Sequence, residues 1–199
     1  MNRREQAQRR REQLLDAALE VFVARGIDRA TMKDVAEAAG AAPGLLYHYF
    51  DGKDALVATL LKERSFLPKL RSQLSGAVER PAVAVLPELV RNYRRVLTEN
   101  QGLVSLFFSA SSTNRHARTA MGEFVAEGQR LLADYLDSRV AVGELRPHDT
   151  RLFAQTLLTT VAANRHMGAD TDPDQLVDLL VNGVAARASC QSDTKRKES

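Results

Sequence analysis

Cysteine is all but missing from this chain. Cys190 stands alone, so no disulfide can staple the fold, which suits a reducing compartment and an expected cytoplasmic location. There is no apolar run long enough to cross a bilayer, so no membrane partner is expected. The first residues are arginine-rich and polar, without the apolar core of a secretory signal. Histidine is scarce, and His48, His116, His148 and His166 share no metal-ligand spacing with each other or with Cys190. GxSxG, phosphate-loop and dinucleotide fingerprints are absent, so no metal, no cofactor and no enzyme activity are expected. Ser109, Ser111 and Ser112 read as a helix end rather than as a nucleophile. No segment reads as a strand and no repeat is present. An excess of one charge is lacking too: 28 Lys and Arg face 25 Asp and Glu, a net of +3. Any anionic partner must therefore be read from where the charges lie. Arg3, Arg4, Arg9, Arg10 and Arg11 crowd one end; Lys195, Arg196 and Lys197 form a solvated cluster at the other.

What is present is helical periodicity. The 199 residues are 44% hydrophobic and 27% charged, enough for a real core in one large or two small units. Residues 1–8 read as a flexible basic arm. A helix follows from about Arg9 to Arg25, with Leu14, Ala18, Val21 and Phe22 on one stripe and Gly26 closing it. Lys53 opens a long helix that keeps its leucines in register almost to Ser75, with Pro68 breaking or kinking it. Further helices are expected from the Pro81–Pro87 region to Glu99, over Leu103–Ala110, from Arg115 to Val142, from Asp149 to His166, and from Asp172 to near Arg187. Residues 189–199 read as a disordered tail.

The stretch from Thr31 to Leu56 organises the rest. Thr31 with Asp34 fits a reciprocal capping box. Gly40 can end that short helix in the left-handed conformation, and Pro43 suits the first position of the next. Helix, glycine turn and short helix make a helix-turn-helix, whose second helix enters the DNA major groove. Thr31 and its amides offer a helix N-terminus to a phosphate, and Lys53 offers an ammonium just past the reading helix. Arg29 and Lys33 are further cationic candidates. Ala42, Pro43, Gly44, Leu45 and His48 occupy the turns that would face the groove, and Tyr47 and Tyr49 project hydroxyls from the same helix. With few polar groups available, Leu45 can meet a thymine methyl.

Gly26, Thr31, Ala36, Ala39, Gly40, Gly44, Leu46, Tyr47, Phe50, Lys53 and Leu56 together resemble the TetR (tetracycline-repressor-like) family of bacterial regulators. The resemblance in detail covers Leu14 to Leu56. Beyond that it is an agreement of helix count and length. It departs from the family at Tyr49, where histidine is usual, and at Ala42, where a hydroxyl cap is favoured. It implies an all-α fold: an N-terminal three-helix helix-turn-helix unit, placed at 1–52, and a C-terminal bundle for ligand and dimer, placed at 53–188. It also implies phosphate contacts at Tyr47 and Lys53 and a dimer formed through the last two helices. On those helices Phe153, Leu157, Val161, Leu176, Leu179, Leu180, Gly183 and Val184 form apolar stripes, and Gly183 suggests close approach of another helix. A pocket among the middle helices would draw on Tyr93, Phe107, Phe108, Met121, Phe124 and Met167, with Asn164, Arg165 and His166 as polar contacts. The expectation is a homodimeric, ligand-responsive regulator, most readily a repressor of a palindromic operator in double-stranded DNA, released by a small-molecule effector. The alternative is a helical interaction protein that binds nucleic acid without sequence choice.

Overall fold

A computed structural model describes residues 2–183. These form ten helices and no strand. No helix among them is long and apolar enough to cross a membrane.

Helix α1 runs Arg3–Arg25. It starts six residues earlier than the periodicity suggested, which corrects the expected flexible arm at 1–8. The reason is local: the Asn2 side chain accepts from the Arg4 amide, and Glu5 reaches back to the Asn2 amide at 3.0 Å. Leu14, Leu15, Ala18 and Phe22 bury one face of α1. Gly26, with φ at +79°, ends it, and its amide donates to the Phe22 carbonyl at 2.8 Å. Helices α2, Met32–Ala38, and α3, Pro43–Tyr49, follow.

Helix α4 runs Lys53–Arg64 and α5 runs Leu67–Ser75. The break lies ahead of Pro68, not at it. A proline ring clashes with the carbonyl four residues back and cannot donate to it, and that residue is Arg64, the last of α4. Pro68 itself sits in the first turn of α5, where it costs nothing. Helices α6, Ala82–Glu99, α7, Gln101–Thr113, and α8, Arg115–Ala141, come next. α7 is longer than its apolar run at both ends. Its serines do not break it, because Ser109, Ser111 and Ser112 each donate to a carbonyl three residues back. Helix α9, Thr150–His166, is capped by Asp149. Helix α10, Pro173–Asn182, is capped by Asp172.

Two buried cores organise the packing. The first joins Leu14, Phe22, Val35, Leu46 and Phe50 to Leu56, Val57 and Leu60 of α4, and then to Leu103, Leu106 and Phe107 of α7. The second gathers α5, α6, α8, α9 and α10 around Leu70, Leu86, Leu89, Leu132, Leu136 and Leu157. α7 therefore packs with the N-terminal helices, although 74 residues of chain lie between Gly26 and Gln101. Its Gly102 lies where a Cβ would sit 3.4 Å from a methyl of Val23.

Candidate functional sites

The two helices of the helix-turn-helix start differently. At α2, the Thr31 hydroxyl accepts from the Asp34 amide at 3.1 Å, and the Asp34 carboxylate accepts from the Thr31 amide at 2.8 Å. The same carboxylate takes the Thr31 hydroxyl proton at 2.7 Å and pairs with Arg25 at 2.6 Å. These contacts, the Thr31 hydroxyl first and Arg25 last, hold the Asp34 carboxyl below the usual carboxylate range. An anion thus already occupies the N-terminus of α2. The Thr31 hydroxyl is therefore committed to the cap, and the expected phosphate contact at this end is left to the free amides of the first turn. At α3, Ala42 is the cap residue and makes no side-chain bond.

Helix α3 is held from one side. Leu46 is fully buried in the first core and Phe50 nearly so, with the Arg11 guanidinium 5.5 Å over the Phe50 ring. Ala42, Pro43, Gly44, Tyr47 and His48 are exposed, and Tyr47 is 57% exposed. Leu45 is half-buried. The sequence reading paired Tyr49 with Tyr47; the structure separates them. Tyr49 is half-buried against the first core, its ring edge-on to His48 at 5.5 Å. Arg29 and Lys33 are exposed and have no partner among the described residues. Arg10 was not singled out for this site, yet its guanidinium reaches the Gly40 carbonyl at 3.3 Å and ties α1 to the turn. No periodicity announces such a contact across thirty residues.

Lys53 differs most from expectation. Its ammonium donates to the carbonyls of Ile27, Asp28 and Ala30 at 2.9, 3.2 and 3.1 Å. Those three bonds use all its protons and fasten the α1–α2 loop to the start of α4. Asp28 in turn accepts from Asn114 at 2.5 Å, joining the same loop to the α7–α8 corner. Lys53 is a staple in this structure rather than a free phosphate clamp.

Between α5, α6, α7, α8 and α9 lies an apolar cavity of about 250 Å³, adjoined by a second of about 90 Å³. Tyr93, Phe108, Met121 and Phe124 line both, and Phe107 lines the smaller. Asn164 does not reach either: it faces a polar surface cleft with Arg165 and bonds to the Thr171 hydroxyl at 2.5 Å. Met167 is 71% exposed and lines no wall of the cavity. Both residues follow the last apolar turn of α9, where a helix leaves its core. His166 stacks on Phe108 at 4.4 Å but is not itself part of either wall. Phe66 was missed; it stacks on Tyr93 at 4.6 Å and lines both spaces. The signal for it was Pro68, since a helix break leaves its preceding aromatic free to turn inward. Burial pushes the Tyr93 hydroxyl up to about 12, so it keeps its proton at any physiological pH. A larger cleft between α4, α5 and α8 carries charged side chains such as Lys62, Glu123 and Glu127 on its walls.

The expected dimer stripe on α9 faces inward. Leu157 and Val161 are buried in the second core, and Phe153, Leu176 and Leu180 pack against it. The apolar side chains left outside are Leu152 and, at 49% exposure, Leu179. Gly183 is not inside a helix. It is the residue that ends α10, with φ at +70° and open space around its Cβ position, so the close-approach argument falls. Val184, the expected helix end near Arg187 and the tail at 189–199 lie outside the described residues.

Comparison with known proteins agrees with this architecture. Residues 14–60 match a family described as bacterial regulatory proteins, tetR family. The chain is 28% identical over 191 residues to the HTH-type transcriptional repressor KstR2 of Rhodococcus jostii (strain RHA1), spanning 89% of this chain and 92% of that one. It is 29% identical over 157 residues to the HTH-type transcriptional regulator BetI of Brucella canis, spanning 78% of this chain and 71% of that one. Among solved structures, the transcriptional regulator FadR from Bacillus subtilis in complex with stearoyl-CoA superposes with a TM-score of 0.71 at 22% identity, over 87% of this chain and 99% of that one.

Proposed function

This chain belongs to the tetR family of bacterial regulatory proteins, and from that premise we propose that it is a ligand-responsive transcriptional repressor working in the cytoplasm. It binds a palindromic operator as a homodimer, with α3 in the major groove. Tyr47, His48, Pro43 and Gly44 face the bases and backbone, and Arg29 and Lys33 supply phosphate contacts on either side. Ala42 and Leu45 approach the groove through apolar contact. The dimer uses the outer faces of α9 and α10, where Leu152 and Leu179 are exposed. The division of labour near residue 52 is part of the proposal, with α7 crossing it. The effector is a small molecule held in the apolar cavity; since the Bacillus FadR structure carries stearoyl-CoA, an acyl chain is the first class to test.

The observation that carries the reading is Phe107. It is 1% exposed in the core that supports α3, and it is also a wall of the smaller space that adjoins the cavity. Met121 and Phe124 pack against that same core and line both spaces. A molecule entering the cavity presses on side chains that hold the DNA-reading unit. Release of DNA follows only from differential affinity for the two arrangements; a coupling of about 1–3 kcal/mol weakens binding about 5–150-fold.

The experiment is selection of binding sites from random DNA, then titration of acyl compounds against the complex. Symmetric sites with half-sites about 34–36 Å apart, or a multiple of that, are expected. Arg29→Ala and Lys33→Ala should each lower the salt dependence of binding by about one unit. Enrichment of no sequence at all would instead favour the non-specific nucleic-acid-binding alternative.

A further inference from the structure

The cavity described above holds no charged side chain on its walls. Its polar groups are few, and most hold a bond to the backbone. The Ser65 hydroxyl accepts from the Leu67 amide, the Asn100 amide group donates to the Val96 carbonyl, and the Ser111 hydroxyl donates to the Phe108 carbonyl. Thr159 sits at the exposed rim. Tyr93 is different. Its ring is buried, fixed by the stack on Phe66, and its hydroxyl has no hydrogen-bond partner among the described residues. Nor is that oxygen among the polar atoms sealed off without a partner; it opens on the cavity. A hydroxyl that opens on an apolar cavity with no protein partner is free to bond to whatever fills that space.

We propose that the cavity is built for an uncharged, chiefly apolar molecule with one hydrogen-bond acceptor oxygen, a carbonyl of a ketone, ester or thioester, and that the Tyr93 hydroxyl donates to it. The inference rests on the cavity being the effector site and adds what that effector must carry. A phenol that holds its proton is a donor ready for use, and the Phe66 stack aims it in advance. A carboxylate could accept the same bond, but its charge would enter an apolar space with no cation to meet it, so it stays out. A quaternary or primary ammonium is excluded for lack of an anion on the walls. An ionised portion of the effector, where there is one, therefore lies outside the cavity.

The test uses the full chain and three small probes of matched shape: benzylacetone, n-butylbenzene and hydrocinnamate at neutral pH. Binding is read by calorimetry on the wild type, on Tyr93→Phe and on Ala162→Phe, which fills the space. Tyr93→Phe removes only the unpartnered oxygen, so its melting temperature should not fall. The expected result is that Tyr93→Phe weakens the ketone roughly tenfold, the worth of one buried hydrogen bond, and leaves the hydrocarbon unchanged. Ala162→Phe should abolish both, and hydrocinnamate should bind far more weakly than the ketone. Ketone affinity indifferent to Tyr93→Phe, with hydrocarbon binding lost in Ala162→Phe, overturns the inference and leaves the cavity as the effector site. Tighter binding of hydrocinnamate than of the ketone overturns it as well. Binding of neither neutral probe, or binding that survives Ala162→Phe, overturns the cavity reading and the inference with it.

Discussion

The two cores of this molecule are packed to different ends. The first is filled beneath the helix-turn-helix, where Leu14, Phe22, Leu46, Leu56 and Leu60 are wholly buried, and borders open space at its α7 edge, at Leu103 and Phe107. It is also fastened at its edges by polar bonds, the Thr31–Asp34 box, the Arg25–Asp34 pair and the Lys53 staple. The second core is as apolar but leaves about 250 Å³ unfilled beside Tyr93. Protein interiors are close-packed by default, and space costs dispersion contacts. A unit that must present a helix at a fixed angle is filled and fastened; a unit that must admit something is left short of side chain.

The sharpest way to break that comparison is to open space in the first core. Phe22→Ala should cost about 3–5 kcal/mol, lower the melting temperature steeply and abolish operator binding, because nothing nearby can collapse into the hole. Chemical denaturation with a parallel DNA titration measures both. A mild effect would mean that the first core is as yielding as the second.

Next in size is Lys53→Ala. Three carbonyls lose a charged donor, and we expect a loss of about 1.5–3 kcal/mol, with weakened DNA binding at an unchanged salt slope. A normal melting temperature with a slope reduced by about one unit would restore Lys53 to the phosphate backbone and remove the staple.

The smallest effect should have the opposite sign. Gly128 lies within α8 on the cavity wall, and a Cβ there would meet only leucine methyls at 3.6 to 3.9 Å. Gly128→Ala should therefore stabilise the chain by about 1 kcal/mol through helix propensity while narrowing the cavity. Thermal denaturation checks the gain. A loss would show the second core to be full.

The legibility of these regions from sequence differs in the same way. Short-range chemistry was readable: the Thr31–Asp34 box, Pro43 opening α3, and the aspartates that start α9 and α10 all lie within four residues of what they cap. Long-range placement was not. Nothing near Lys53 says that three carbonyls from the α1–α2 loop will surround it, and nothing near Phe107 says that α7 will join the first core. Apolar periodicity marks a buried face without naming its neighbour, which is why Leu157 and Val161 were expected at a dimer seam and lie inside their own bundle. Of the cavity, the walls Tyr93, Phe107, Phe108, Met121 and Phe124 were legible as large apolar side chains on middle helices. Phe66 and Ala162 were harder to read: Phe66 lies at the helix break announced only by Pro68, and Ala162 is too small to stand out on its helix.

The early start of α1 has a consequence for the heat of DNA binding. Eleven helical residues precede Leu14, the first buried position, and span about 16 Å, with the last turn tied to the rest of the fold by Arg10 on Gly40 and Arg11 over Phe50. They carry Arg3, Arg4 and Arg9 on a rod whose shape is already set by Asn2 and Glu5. A coil with the same arginines would have to order itself on the duplex, and that ordering leaves a large negative heat-capacity change. Here that contribution should be missing: calorimetry across a range of temperatures should give a heat-capacity change no larger than rigid docking requires, and circular dichroism should show no helix gained on adding DNA.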